Sequence, residues 1–120
     1  MESDHRALLC AQFCLDRKAL DMKVLHISEL SSLTDYLVLA SGTSDRQVQA
    51  IAESVRLGLK EKHNLAPIAV EGMNEGRWVL LDYGDVMVHV FQQEVRTFYD
   101  LDGLWSEAPT LAIPEEQTAN

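Results

Sequence analysis

The stretch RWVLLDYGDVMVHVF, Arg77–Phe91, decides how this chain is read. Two apolar runs, Trp78–Tyr83 and Val86–Phe91, flank Gly84-Asp85. Gly supplies the positive φ that a two-residue hairpin loop requires, and Gly-Asp is one of the pairs that signal such a loop. With those residues as the loop, the register follows. Tyr83 lies opposite Val86, Leu81 opposite Val88 and Val79 opposite Val90 on one face; Asp82 meets Met87, Leu80 meets His89 and Trp78 meets Phe91 on the other. The first face is almost wholly aliphatic and belongs to the core. The second mixes Trp, Leu, Met and Phe with an Asp and a His. Two readings of it stay open: a surface that meets a partner, or a second core face under a helix.

Outward from the hairpin, Gly72–Gly76 is a loop, and Pro67–Glu71 (PIAVE) is a strand. Asp35–Ser41 (DYLVLAS) is a continuous apolar run, hence a buried central strand. It runs into Gly42-Thr43-Ser44-Asp45, where Ser44 and Gln47 have the spacing of a capping box. The helix that follows carries the stripe Val48, Ile51, Ala52, Val55, Leu59 and extends to about Lys62. Gly58 inside it costs about 1 kcal/mol relative to Ala, which points to a close packing contact. Pro67–Glu71 is expected parallel to Asp35–Ser41, through that helix, as a right-handed crossover. Upstream, residues 4–20 form a first helix and Met22–Ile27 a strand, with polar Ser28–Thr34 as connector. Downstream, Gln93–Leu101 is a short helix that offers Val95, Phe98 and Tyr99 for packing. The fold class is α/β of mixed α+β type, a mixed sheet of about five strands with flanking helices. The domain is expected to span residues 1–105, with 106–120, proline-containing and devoid of basic residues, as an acidic disordered tail.

The 120 residues carry nineteen acidic against ten basic side chains, net −9. Neutralising phosphates takes Lys and Arg, so direct DNA or RNA binding is disfavoured, and a basic protein partner fits better. No apolar run reaches the roughly 20 residues of a membrane span. The acidic start MESDHRALL lacks the basic and apolar regions of a signal peptide, so a cytoplasmic location is expected. Cys10 and Cys14 share a helix face without a zinc pattern and are expected as reduced, half-buried thiols.

No catalytic, cofactor or metal site is expected. Asp82 and Asp85 beside the hairpin turn, with backbone amides at Gly42–Ser44, could in principle hold a metal and a nucleotide. Against this, glycine-rich phosphate-loop patterns and a nearby Lys are absent. His89 has no Ser or Cys aligned with it, so a structural or partner-contact role is expected.

Several motifs occur together in order: Thr34-Asp35-Tyr36, Ala40–Val48 (ASGTSDRQV), Glu71-Gly72, Trp78–Val86 (WVLLDYGDV), Val88–Phe91 (VHVF), Phe98–Leu101 (FYDL) and Leu104-Trp105. From Ala19 to Trp105 the chain resembles the ribosomal silencing factor family, also called Iojap-like. It departs at His26, where many relatives have an acidic residue, and at Gln93, where relatives often have Pro. The resemblance implies a core similar to that of nucleotidyltransferases without transferase activity. It implies binding to large-subunit ribosomal protein fourteen at the intersubunit face, a block on joining of the small and large subunits, and lowered translation when nutrients are scarce. Trp78, Leu80, Asp82 and Tyr83 fall in the segment it implicates in the ribosomal contact; the hairpin face adds Met87, His89 and Phe91. The alternatives are a nucleotidyltransferase-like enzyme using Gly42–Ser44 with Asp82 and Asp85, and a general adaptor that dimerises through the hairpin face. A homodimer off the ribosome is a further expectation.

Overall fold

The computed structural model describes residues 2–114. In chain order the elements are α1 (Ser3–Leu15), β1 (Leu20–His26), β2 (Tyr36–Gly42), α2 (Asp45–His63), β3 (Ala69–Glu71), β4 (Trp78–Asp82), β5 (Val86–Gln92), α3 (Gln93–Tyr99) and the single turn α4 (Leu101–Leu104). The strands form one mixed sheet in the order β1-β2-β5-β4-β3. Only β2 and β5 pair in parallel; the other neighbours are antiparallel.

The β4–β5 register is the one the hairpin chemistry requires: Trp78 pairs with Phe91, Leu80 with His89 and Asp82 with Met87. Gly84 takes a φ of 90°, Tyr83 N–H donates to Val86 O at 2.9 Å, and the Asp82 carboxylate accepts from Gly84 N–H at 2.8 Å. The turn is also clamped from outside. Asp85 O accepts from the N–H groups of Asp35 and Tyr36, and Thr34 Oγ1 donates to Gly84 O.

One sheet face is sealed by α1 and α2. Val79, Leu81, Val88 and Val90 are fully buried there against Val48, Ile51, Ala52, Val55 and Leu59, the expected stripe of α2. Each such side chain contributes about 1.5–3 kcal/mol by leaving water. The α1–α2 contact is tight at Gly58, where an added Cβ would lie 2.5 Å from the Phe13 ring. At the head of α2, Ser44 Oγ accepts from Gln47 N–H. The box is not reciprocal, because Gln47 Oε1 reaches one residue further and accepts from Thr43 N–H at 2.7 Å.

Four expectations are corrected. Strand β3 is not beside β2; it is a three-residue edge strand antiparallel to β4. The place beside β2 goes to β5, whose seven residues bury apolar side chains on both faces, whereas β3 is mostly exposed and follows Pro67, which has no N–H to donate. The first helix stops at Leu15 rather than near residue 20, since Lys18 takes a left-handed φ of 62° and β1 starts two residues on. Both cysteines are fully rather than half buried, and burial pushes the Cys10 thiol up to about 12.

The fourth correction concerns the end of the chain. Order does not stop at Trp105. Leu25 and Thr110 form an antiparallel bridge, His26 N–H donates to Pro109 O at 2.9 Å, and Leu111 N–H donates to Val24 O at 2.7 Å. Ala108 is buried, and Leu111 and Ile113 pack against the core. The outer edge of β1 carries unpaired backbone groups, and this segment satisfies them. The rest of the expected tail, residues 115–120, lies outside the described residues.

Candidate functional site

The second sheet face is divided. Toward β1 and β2 it is a small core: Leu25, Ile27, Leu37, Leu39 and Phe91 are buried beneath Val95, Leu101, Trp105 and Ala108. Toward β3 and β4 it is open. The reading of a second core face under a helix therefore holds for one half of the face, and the other half is left uncovered. The open half contains a depression of about 350 Å³ lined by Glu71, Gly72, Trp78, Leu80 and His89.

Trp78, Leu80, Asp82, Met87 and His89 are half-buried along this face. Phe91 is fully buried and Tyr83 is 7% exposed. Neither can present its side chain to a partner, which corrects their inclusion among contact residues. Helix α3 follows β5 directly and folds over Phe91, bringing the Arg96 guanidinium 5.9 Å from its ring centre. Tyr83 points to the α1–α2 side, where burial pushes its hydroxyl well above the usual phenol range, so the group stays a neutral phenol.

An aromatic chain runs across the open half. The Trp78 ring centre is 5.5 Å from Phe91, 5.4 Å from Tyr99 and 6.1 Å from His89, and Phe98 meets Tyr99 edge-on at 5.0 Å. Phe98 and Tyr99 are exposed and extend this surface beyond the hairpin. Sequence reasoning assigned Phe98 and Tyr99 to packing. Val95, Phe98 and Tyr99 stand at i, i+3 and i+4, the spacing of one helix face, so no local pattern marks the two rings as exposed; α3 buries Val95 and leaves both of them open.

Two anchors hold α3 in place. Arg96, 6% exposed, donates from Nη1 to Ser41 Oγ at 2.8 Å and to Asp21 O at 2.7 Å, and its Nε donates to Asp102 at 3.0 Å. Gln92 donates to Gly76 O at 3.2 Å and to the Asp45 carboxylate. Arg96 beside Asp102 holds that carboxyl below its usual range, despite the opposing effect of burial.

His89 is the most perturbed titratable group on this face. Burial lowers its pKa from 6.5 to about 4, so it is neutral at pH 7. Its Nδ1 accepts from the Trp78 indole Nε1–H at 3.0 Å.

The groups invoked for nucleotide chemistry are already occupied. The Asp85 carboxylate accepts from Ser3 Oγ at 2.7 Å and Arg6 Nη1 at 2.6 Å, while Asp82 caps the turn. At the Gly42–Ser44 turn, Gln47 takes both the Thr43 N–H and the Thr43 hydroxyl. Among the described residues no group of three or more His, Cys, Asp or Glu is arranged to hold a metal ion, and no helix is long and apolar enough to cross a membrane.

Residues 1–120 match the family model described as "Ribosomal silencing factor during starvation". The chain belongs to the ribosomal silencing factor family. It is 40% identical over 101 residues to ribosomal silencing factor RsfS of Bacillus subtilis, covering 84% of this chain and 85% of that one. It is also 40% identical over 114 residues to ribosomal silencing factor RsfS of Chromobacterium violaceum, covering 94% and 93%. A crystal structure of a Chromobacterium violaceum protein superposes with a TM-score of 0.85 at 36% identity, covering 99% of this chain and 98% of that one. Ribosome silencing, a form of translational control, is the role this family membership supports.

Proposed function

We propose that this silencing factor binds the large ribosomal subunit through ribosomal protein fourteen at the intersubunit face. Occupying that face keeps the small subunit from joining and lowers translation when nutrients are scarce. The observation that carries this reading is the open half of the second sheet face, where Trp78, Leu80 and Tyr99 lie beside the carboxylates of Glu71 and Asp82. Aromatic and aliphatic anchors supply affinity once water is excluded, and acidic groups around them select a basic partner and speed the encounter. The net charge of −9 favours that pairing over direct contact with RNA phosphates.

The mechanism is steric. A specific interface needs about 1,200–2,000 Å² in total, or roughly 800 Å² per partner. Inhibition then requires overlap with the small subunit and no chemical step, cofactor or metal. The factor works in the cytoplasm with its ribosomes, and off the ribosome a second copy can cover the same apolar face.

Purified protein is mixed with separated subunits at low magnesium and the complexes are resolved on gradients. Co-migration with large subunits alone, together with fewer joined ribosomes when small subunits and magnesium are added, is expected. Co-migration with small subunits, or normal joining at saturating factor, would overturn the proposal.

A further inference from the structure

His89 and Trp78 are diagonal neighbours on the hairpin. Trp78 pairs across with Phe91 and His89 with Leu80, so the indole must lean along the strand to reach the imidazole. It does so with a hydrogen bond of 3.0 Å from Nε1–H to Nδ1. Indole nitrogen can only donate, so the imidazole nitrogen facing it must carry no proton. The ring is thereby the neutral Nε2–H tautomer.

We propose that His89 is a positioning residue for partner recognition, holding the Trp78 indole in one orientation across the open depression. The identity of the partner rests on the function proposed above; the positioning itself does not. Three walls define the indole pose: the Phe91 ring beneath it, the Tyr99 ring beside it and the His89 acceptor at its polar edge. Aromatic walls alone tolerate sliding and rotation of the ring, because their attraction depends weakly on direction. A directional acceptor removes that freedom. Side-chain ordering that would oppose binding is then already accomplished in the free protein. His89 is itself too deeply set to be the principal contact, and burial reinforces its neutral state. Protonation would set two N–H donors against each other.

The test uses full-length protein with Trp105→Phe, which leaves Trp78 as the sole indole. A through-bond ¹⁵N–¹⁵N coupling between Trp78 Nε1 and His89 Nδ1 is expected without any change at His89. Two further variants then separate positioning from packing. His89→Asn keeps an acceptor near the place of Nδ1, and His89→Leu keeps bulk without one. Indole hydrogen exchange should quicken roughly tenfold in His89→Leu, as loss of one such bond implies, and return close to the starting value in His89→Asn. Affinity for large subunits should follow the same order. Absence of the coupling would overturn the proposal, as would equal indole exchange in all three proteins or failure of His89→Asn to restore affinity lost in His89→Leu. If the starting protein binds no large subunit, the functional reading fails, while coupling and exchange still decide the positioning role.

Discussion

Arg6 Nη1 lies 2.6 Å from Asp85 Oδ1, tying the first turn of α1 to the β4–β5 loop. The two side chains are 18% and 25% exposed, so the pair is largely shielded. Ser3 Oγ adds a second donor to the same carboxylate at 2.7 Å. The loop that sets the hairpin register is thus braced by a segment some 80 residues away in sequence.

Asp85→Ala should therefore destabilise the fold by about 1–3 kcal/mol, less than for a wholly buried pair, by leaving Arg6 and Ser3 without their acceptor. Urea unfolding measures it. A midpoint unchanged from the parent would mean that the brace contributes nothing.

Core and surface positions on the hairpin should separate cleanly. Leu81→Ala leaves a cavity between β4 and α2 and should cost roughly 2–5 kcal/mol in unfolding. Trp78→Ala should weaken large-subunit binding by about 2 kcal/mol or more, as for an aromatic hot spot, and cost less in folding than Leu81→Ala. The reverse order of effects in the two assays would refute this division of the sheet.

Truncation after Trp105 should lower the melting temperature. It removes Ala108 from the core, strips the β1 edge of its partners at Val24 and His26, and re-exposes Leu25. The loss is expected at about 1–3 kcal/mol, on the scale of a few hydrogen bonds and one small buried side chain. Truncation after Pro114 is the control, because it retains all of these contacts. Equal melting of both truncations would show that the segment adds no stability.

Acid should expose the burial of His89. Its folded pKa, about 4, lies below the ordinary value of 6.5. Above pH 6.5 the side chain is neutral in folded and unfolded chains, and the fold loses nothing. Below it the unfolded chain takes up a proton that the folded chain refuses, so stability falls with a slope approaching ~1.4 kcal/mol per pH unit until about pH 4. His89→Asn, which keeps an acceptor and does not titrate, should flatten this part of the profile. Glu71 lines the same depression and is present in both proteins, so the difference between the two curves isolates His89. Parallel curves from pH 7 to 4 would contradict the assignment.

The parts of the fold legible in the sequence are those set by residues close together along the chain. The Gly84 turn determines the β4–β5 register, because only a positive φ at that position lets two strands reverse in two residues. The Ser44 cap and the stripe from Val48 to Leu59 define α2 for a similarly local reason, a repeat that matches the helical turn. The mixed face of the candidate site was also visible, since its alternation is part of the same strand pattern.

Tertiary structure decided what depends on competition between distant segments. Whether β3 or β5 lies beside β2 turns on how much apolar surface each can bury, which no local pattern states. Phe91 is buried and Trp78 half-open because α3, anchored by Arg96 on Ser41, covers only part of the sheet. Thr110 reaches Leu25 because β1 ends the sheet with unpaired backbone groups, although composition alone marked that segment as a tail. The bond from Trp78 to His89 joins the two: the sequence determined that these residues share a face, and the closing of α3 over one end of that face determined that they meet in a shielded, half-open site.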